Sequence, residues 1–152
     1  MLKTGEKAPE FTLADQNGTM ISSEELKGTP YVIYFYPKDS TPGCTKQAQA
    51  YSENLEKFQA AGYRVFGVSK DSVASHKKFE EKYELTITLL SDPERMTIEG
   101  FDVWQEKKNY GKVSMGVVRS SFVVDENGVI VIANPNTKAA EDCQKVLGQL
   151  GL

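Results

Sequence analysis

Residues 31–51 read YVIYFYPKDSTPGCTKQAQAY and contain the strongest structural signals in the chain. The first six residues form an apolar run rich in aromatic and β-branched side chains, which predicts a buried strand. Pro37 ends that run, and a short polar loop follows. Thr41 is then a favourable helix N-cap, and Pro42 occupies the first helical position, where its missing N–H costs nothing. The stretch therefore predicts a strand, a loop and a helix that begins beside Thr41.

The third position of this predicted helix is Cys44. A side-chain anion at that position can use the free backbone N–H groups and the positive end of the helix dipole. A thiol placed there is expected to ionise more readily than an ordinary cysteine, and the thiolate is the reactive nucleophile. The Thr41 hydroxyl, one turn back, is expected near the sulfur. The alternative interpretation is that Cys44 is a small buried hydrophobic residue.

A second candidate is Arg119, which lies in the apolar segment VVRSSFVV at residues 117–124. This segment predicts a strand buried on both faces, and residues 129–133 predict another. Asn127 and Gly128 between them form the strongest short hairpin signal. A buried guanidinium is costly unless an anion meets it. The partner of Arg119 is therefore either a structural carboxylate or a thiolate, which the arginine would stabilise.

Three segments carry sequence patterns that are more specific than these local signals. They are YPKDSTPGCT at residues 36–45, VWQEKKNYGK at residues 103–112 and MGVVRSSFVVD at residues 115–125. The pattern Pro-x-x-x-Thr-x-x-Cys in the first segment resembles the active-site signature of the peroxiredoxins. All three segments, in this order, resemble the bacterioferritin comigratory protein (Q-type) subfamily, and the resemblance covers nearly the whole chain. It implies a thiol peroxidase with a thioredoxin-like fold.

The order of predicted elements indicates an α/β protein with one domain, residues 1–152. The other predicted elements precede and follow the first strand and helix. They are an N-terminal hairpin at 11–14 and 20–22, a short helix at 22–28, the first long helix from Thr41 to about residue 60, a strand at 64–69, an amphipathic helix at 72–83 with His76 on its surface, a strand at 85–91, a short helix capped by Asp92, a polar connection at 103–115, the two strands described above and a last helix from about residue 138. We expect a central mixed β-sheet flanked by helices, which the thioredoxin-like fold fits.

Bulk properties exclude several classes of function. The formal net charge of −3 gives no general attraction to nucleic acid or to an anionic membrane. The longest apolar runs are far shorter than a membrane span, and the N-terminus lacks the apolar core of a signal peptide. No cluster has metal-ligand spacing, and no glycine-rich segment predicts a phosphate or cofactor site. Two cysteines do not suggest a disulfide scaffold, so we expect a reducing, cytoplasmic location.

The resemblance implies a role for each matching residue. Cys44 is the peroxidatic nucleophile, which attacks the terminal oxygen of a hydroperoxide and becomes a sulfenic acid. Thr41 binds both the thiolate and the peroxide, and Arg119 holds the thiolate and stabilises the transition state. Pro37 shields the thiolate from water. The backbone N–H groups of Gly43 and Cys44 would add donors for the peroxide, as helix N-termini generally can.

Two positions depart from the pattern of the subfamily. Gln47 stands where a Glu is usual, so the polar network around the arginine is expected to change. Gln49 stands where many members carry a resolving cysteine, which excludes a local disulfide. The other thiol is Cys143, and helical spacing places it on one stripe with Ala139, Val146 and Leu150, as is typical of a core residue.

These departures leave the catalytic cycle open. If Cys143 is structural, the sulfenic acid is reduced by an external thiol or thioredoxin in a one-cysteine cycle. If Cys143 resolves Cys44, one or both segments unfold locally. A peroxide sensor that passes oxidation to a partner protein is a further alternative, and a non-catalytic binding module is another. For the oligomeric state the resemblance implies a monomer or a weak dimer.

Overall fold

The computed structural model describes residues 1–152, except for the side chain of Asn109. Within these residues the strands are β1 (Thr12–Asp15), β2 (Met20–Ser22), β3 (Tyr31–Phe35), β4 (Arg64–Ser69), β5 (Thr88–Ser91), β6 (Trp104–Asn109), β7 (Lys112–Val117), β8 (Ser120–Val124) and β9 (Ile130–Asn134). The α-helices are α1 (Pro42–Glu53), α2 (Leu55–Ala60), α3 (Val73–Tyr83), α4 (Met96–Gly100) and α5 (Asp142–Leu150), and a 3₁₀ turn spans Ser23–Leu26. Within the described chain, no helix is both long enough and apolar enough to span a membrane.

Seven strands form one central sheet in the order β2-β1-β5-β4-β3-β8-β9. The middle strands β3, β4 and β5 run parallel to one another. The strands on both sides pair antiparallel with their neighbours, and β1 and β2 form the predicted N-terminal hairpin. The sheet is therefore mixed and flanked by helices, which confirms the predicted α/β, thioredoxin-like architecture.

The sheet separates two apolar clusters, because side chains alternate between the faces of each strand. In β3, Ile33 and Phe35 belong to the first cluster, which also receives α4. Val32 and Tyr34 belong to the second cluster, against which α1, α2, α3 and α5 pack. All of these strand residues are fully buried, as the continuous apolar run predicts. The second cluster contains both cysteines, so both thiols lie on the face of the sheet that carries α1 and α5.

The connection predicted for residues 103–115 is instead a two-stranded ribbon of β6 and β7, outside the central sheet. The chain reverses at Tyr110 and Gly111, whose φ angles of 52° and 77° suit a tight hairpin. At the base of the ribbon Trp104 packs against the first cluster, with the Arg95 guanidinium 4.4 Å from its ring centroid. The prediction was wrong because β6 is polar after Trp104 and so resembles a loop. The alternation of Val113, Met115 and Val117 in β7 was the available strand signal, although Val113 and Met115 are exposed.

The long first helix that was predicted to reach residue 60 is interrupted at Asn54, between α1 and α2. The side-chain amide of Asn54 donates to the carbonyl of Ala50 at 2.8 Å, and its backbone N–H donates to the same carbonyl at 3.2 Å. An Asn side chain that binds the backbone in this way offers the chain an alternative to the regular helix. The interruption lies far along α1 from the predicted site and leaves its N-terminus unchanged.

The predicted strand at 117–124 is also divided. β7 ends at Val117, β8 begins at Ser120, and Arg119 lies between them, not inside a strand. The division occurs because the backbone N–H of Val118 donates to the carbonyl of Val103 at 2.8 Å, at the base of the ribbon. The arginine side chain is therefore only partly buried.

Two helices begin later than predicted. Asp92 is not the N-cap of α4, since Arg95 occupies that position with a left-handed backbone (φ 62°). The Asp92 carboxylate nevertheless accepts a hydrogen bond from the N–H of Ile98 at 2.8 Å, inside the first turn of the helix. The last helix begins at Asp142, a turn later than expected. The strand β5 likewise begins three residues after the predicted start.

Candidate active site

The predicted strand, loop and helix place Cys44 at the N-terminus of α1. β3 ends at Phe35, and α1 begins at Pro42 after a six-residue connection. Cys44 is the third residue of the helix, as predicted, and only 2% of it is exposed. The thiol thus lies at the positive end of the helix, where an anion is favoured.

Thr41 occupies the N-cap position with an extended backbone (φ −79°, ψ 152°), but its side chain makes no capping hydrogen bond. Its hydroxyl donates instead to the carbonyl of Lys38 at 2.9 Å and closes the preceding loop. Its own carbonyl accepts from the N–H and the hydroxyl of Thr45, at 2.9 and 2.8 Å. The expectation of a side-chain cap is therefore wrong. Because Thr41 supplies no side-chain acceptor, the N–H groups of the first turn can serve an anion.

Arg119 makes its contacts with the face of α1 that carries the thiol. One guanidinium nitrogen, Nη2, donates to Cys44 Sγ at 3.4 Å, and Nη1 donates to Gln47 Oε1 at 2.5 Å. Of the two partners predicted for this arginine, the structure therefore places the cysteine sulfur beside it and not a carboxylate. Gly43 makes room for this contact, since a Cβ there would lie 3.3 Å from Arg119 Nη2.

Gln47 keeps an oriented position in this network although it brings no charge. Its side chain is fully buried, and its Nε2 donates to Asp142 Oδ2 at 2.9 Å. Asp142 is the first residue of α5 and is 1% exposed. Sequence reasoning did not identify Asp142 as a member of the site. The signal that was available is its spacing of four residues from the buried Val146, which places both on one face of the helix.

Cys143, the possible resolving residue, lies in the core as its helical stripe predicts. It is 2% exposed and packs in the second cluster with Val146 and Leu147. Burial, followed by the negative charge of Asp142, raises the pKa of the Cys143 thiol to about 12. Since only the thiolate attacks a sulfenic acid or disulfide sulfur, a thiol with such a pKa is a poor resolving group.

The loop that precedes Thr41 is anchored by Asp39, which is buried. Its carboxylate accepts hydrogen bonds from the hydroxyls of Tyr36 and Ser75, at 2.6 and 2.8 Å. Its third partner is Nδ1 of His76 at 2.7 Å, and the other ring nitrogen lies 3.0 Å from the carbonyl of Leu90. The prediction of a surface histidine was therefore wrong, since His76 is fully buried.

The signal for His76 was its place on α3, three residues from both Val73 and the buried Phe79. Pro37, which begins the anchored loop, is half-buried. Asp39 lies three residues before Pro42, the first residue of α1, so its hydrogen bonds restrict the loop that leads to Cys44.

An open groove of about 480 Å³ lies beside Arg119, between the ribbon and the segment that leads to α5. It is lined by Gln105, Glu106, Lys107, Lys108, Val118, Arg119, Asn136 and Thr137. Burial, followed by the charge of Arg119, lowers the pKa of Lys107, while the nearby Cys44 raises it. The ribbon therefore brings a second cation towards the thiol. Among the described residues, no group of three or more His, Cys, Asp or Glu could hold a metal ion.

Comparison with known proteins gives one consistent result. Residues 4–133 match the AhpC/TSA family. The putative peroxiredoxin bcp of Coxiella burnetii is 42% identical over 149 residues, which cover 98% of this chain and 99% of that protein. Peroxiredoxin Bcp of Bacillus subtilis is 42% identical over 130 residues, which cover 86% of this chain and 83% of the relative.

Solved structures show the same relationship. A structure of Xanthomonas campestris peroxiredoxin Q has a TM-score of 0.88 at 39% identity and covers 93% of this chain and 89% of its own. A mutant of Xylella fastidiosa PrxQ has a TM-score of 0.93 at 30% identity, with coverage of 99% and 96%. Because sequence and fold agree over almost the full length, the chain belongs to the AhpC/TSA family, as a thiol peroxidase of the peroxiredoxin Bcp/Q type.

Proposed function

We propose that Cys44 is the peroxidatic residue and reduces hydrogen peroxide and organic hydroperoxides. Its thiolate attacks the terminal peroxide oxygen, the O–O bond breaks, and sulfur gains the oxygen as a sulfenic acid. The sulfur loses two electrons, the peroxide gains them, and the leaving oxygen takes a proton to become water or an alcohol. The observation that carries this proposal is the 3.4 Å contact between Arg119 Nη2 and Cys44 Sγ at the start of α1.

The neighbouring residues follow as parts of the same proposal. Arg119 holds the thiolate and stabilises the charge that moves onto the leaving oxygen. The Gly43 N–H and the Thr41 hydroxyl donate to the bound peroxide, and for this Thr41 exchanges its present bond to Lys38 for the substrate. Pro37 covers the loop side of the thiolate.

We propose further that the enzyme completes its cycle with an external thiol, in a one-cysteine mechanism. Peroxiredoxins use thioredoxin-type reductants, and a reducing compartment such as the cytoplasm suits two free thiols. Gln49 offers no thiol near Cys44, and Cys143 is buried with a raised pKa. These observations favour the external route over the atypical two-cysteine cycle. We propose a monomer or a weak dimer as the working form.

The test is an intact-mass measurement of the reduced protein after one equivalent of hydrogen peroxide, with a sulfenic-acid trap present. We expect one trap adduct on Cys44 in the wild type and in Cys143→Ser, and none in Cys44→Ser. An internal Cys44–Cys143 disulfide in the wild type would overturn the one-cysteine cycle. Equal loss of oxidation in both serine variants would overturn the assignment of Cys44.

A further inference from the structure

The side-chain amide of Gln47 joins two charged groups and can do so in only one orientation. A guanidinium only donates hydrogen bonds and a carboxylate only accepts them. The carbonyl oxygen of Gln47 must therefore face Arg119 and its NH₂ group must face Asp142, as the 2.5 and 2.9 Å contacts have it. A rotated amide would set donor against donor and acceptor against acceptor. The three residues form a directed chain from the C-terminal helix to the thiol.

Asp142 has the environment of an anion held by neutral donors. Its carboxylate accepts from Gln47 Nε2 at 2.9 Å, from the Tyr51 hydroxyl at 2.7 Å and from the Ser121 hydroxyl at 2.6 Å. These three donors satisfy both oxygens of the buried carboxylate without a cation. Among the described residues, no Lys or Arg forms an ion pair with Asp142. The cation that its hydrogen bonds lead to is Arg119, through Gln47.

The position of Asp142 also links the elements that carry the reacting groups. Gln47 and Tyr51 lie on α1 with the thiol, four residues apart on one face, and Ser121 lies on β8 two residues after Arg119. A buried charge polarises the hydrogen bonds next to it, because the local dielectric is low. The amide oxygen that faces Arg119 is thereby made a stronger acceptor.

We infer that Asp142 is a positioning residue for the peroxidase reaction, which holds the guanidinium of Arg119 on the thiol through the oriented amide of Gln47. This inference rests on the proposed roles of Cys44 and Arg119. Gln47 is neutral and brings no negative charge to the network around Arg119. In this inference Asp142 on α5 supplies that charge, although α5 carries no reacting group.

The first test measures the second-order rate of Cys44 oxidation at a pH where the thiol is fully ionised, so that the thiolate fraction plays no part. We expect Asp142→Asn to slow oxidation by about tenfold to a hundredfold, as a small displacement of a reacting group does. The same substitution in an Arg119→Met background should change the rate by less than about threefold, because the residue through which it acts is gone. Equal slowing in both backgrounds would mean a merely structural role and would overturn the inference.

A charge exchange supplies the second test. Gln47→Glu alone places a carboxylate against Asp142, whereas in the double variant Gln47→Glu/Asp142→Asn the new asparagine can donate to Glu and the charge lies beside Arg119. We expect Cys44 of the double variant to be oxidised at a rate within about threefold of that of the wild type. Gln47→Glu alone should have a lower urea midpoint than both the wild type and the double variant. If Asp142→Asn does not fold, the double variant alone tests the inference. An oxidation rate of the double variant as low as that of Arg119→Met would refute the hydrogen-bond chain from Asp142 through Gln47 to Arg119.

The two proposals fail separately in these experiments. A wild-type protein that does not react with peroxide would remove the proposed function itself. A reactive wild type with an equally reactive, folded Asp142→Asn would leave the proposed function standing and remove only the role of Asp142.

Discussion

Cys143 should be almost inert towards thiol reagents in the folded protein, and its inertness can be measured once Cys44→Ser has removed the other thiol. The thiol is 2% exposed, and its pKa of about 12 compares with an ordinary value of 9.0. At pH 8 this lowers the thiolate fraction from about one in ten to about one in ten thousand. A more basic thiolate is also more nucleophilic, and a Brønsted coefficient of about 0.45 makes the Cys143 thiolate react about twenty times faster than an ordinary thiolate. Ionisation alone therefore slows Cys143 about fiftyfold, and burial adds to this.

The assay follows iodoacetamide modification of Cys44→Ser by intact mass, with the same variant in concentrated urea as the reference. The pH dependence of the modification rate shows the direction in which the pKa of Cys143 is shifted. Because the folded thiol ionises near pH 12, its rate should keep rising between pH 8 and pH 10, while the unfolded reference levels off above pH 9. A folded rate within about fivefold of the reference at pH 8 would contradict the reasoning, as would a folded rate that levels off near pH 9.

Three further predictions concern buried polar groups. Tyr51→Phe should lower the free energy of unfolding by about 1.5–3 kcal/mol, because it removes a hydrogen bond to the carboxylate of Asp142. The ring of Tyr34 stacks on that of Tyr51 with centroids 4.6 Å apart, and its buried hydroxyl has no hydrogen-bond partner among the described atoms. Tyr34→Phe should therefore raise the free energy of unfolding by about 1 kcal/mol. Urea unfolding of the two variants tests both predictions, and equal destabilisation by the two substitutions would contradict them. His76→Phe should cost about 3 kcal/mol, because it leaves the buried carboxylate of Asp39 without its imidazole partner; a urea midpoint equal to that of the wild type would show that the pair does not stabilise the fold.

The N-terminal half of the site was predictable because its signals are local. An apolar run, a proline that cannot continue it, and a Thr-Pro helix start each restrict the backbone within a few residues. They fix Cys44 as the third helical residue, and the structure has it there. For Arg119 the sequence left two partners open, a carboxylate or a thiolate, on the premise of a buried side chain. The structure shows the side chain only partly buried, with Cys44 Sγ beside it. Which group it would meet depended on how β8 and α1 approach each other, about which local sequence carries no information.

The burial of Asp142 was not predictable from the local sequence. It stands beside Glu141 in a polar segment, and a carboxylate at either position would suit the start of a helix. In the structure Glu141 is exposed and Asp142 is buried, because only residue 142 shares a face with Val146. Its three donors come from α1 and β8, far away in sequence. A buried carboxylate of this kind is recognised from packing and not from its neighbours.

The same carboxylate bears on how the sulfenic acid that we propose at Cys44 would be reduced. Cys143 directly follows Asp142 at the start of α5, so a thiol that left the core to reach Cys44 would pull this turn of helix with it. That movement breaks the hydrogen bonds of Asp142 to Gln47, Tyr51 and Ser121, and bonds to a charged group are worth about 1.5–3 kcal/mol each. It would also release the residue that we infer holds the arginine in place. An external thiol has to uncover Cys44 alone, at the first turn of α1, and leaves the C-terminal helix intact. The arrangement that positions the arginine therefore favours an intermolecular reductant over an internal disulfide.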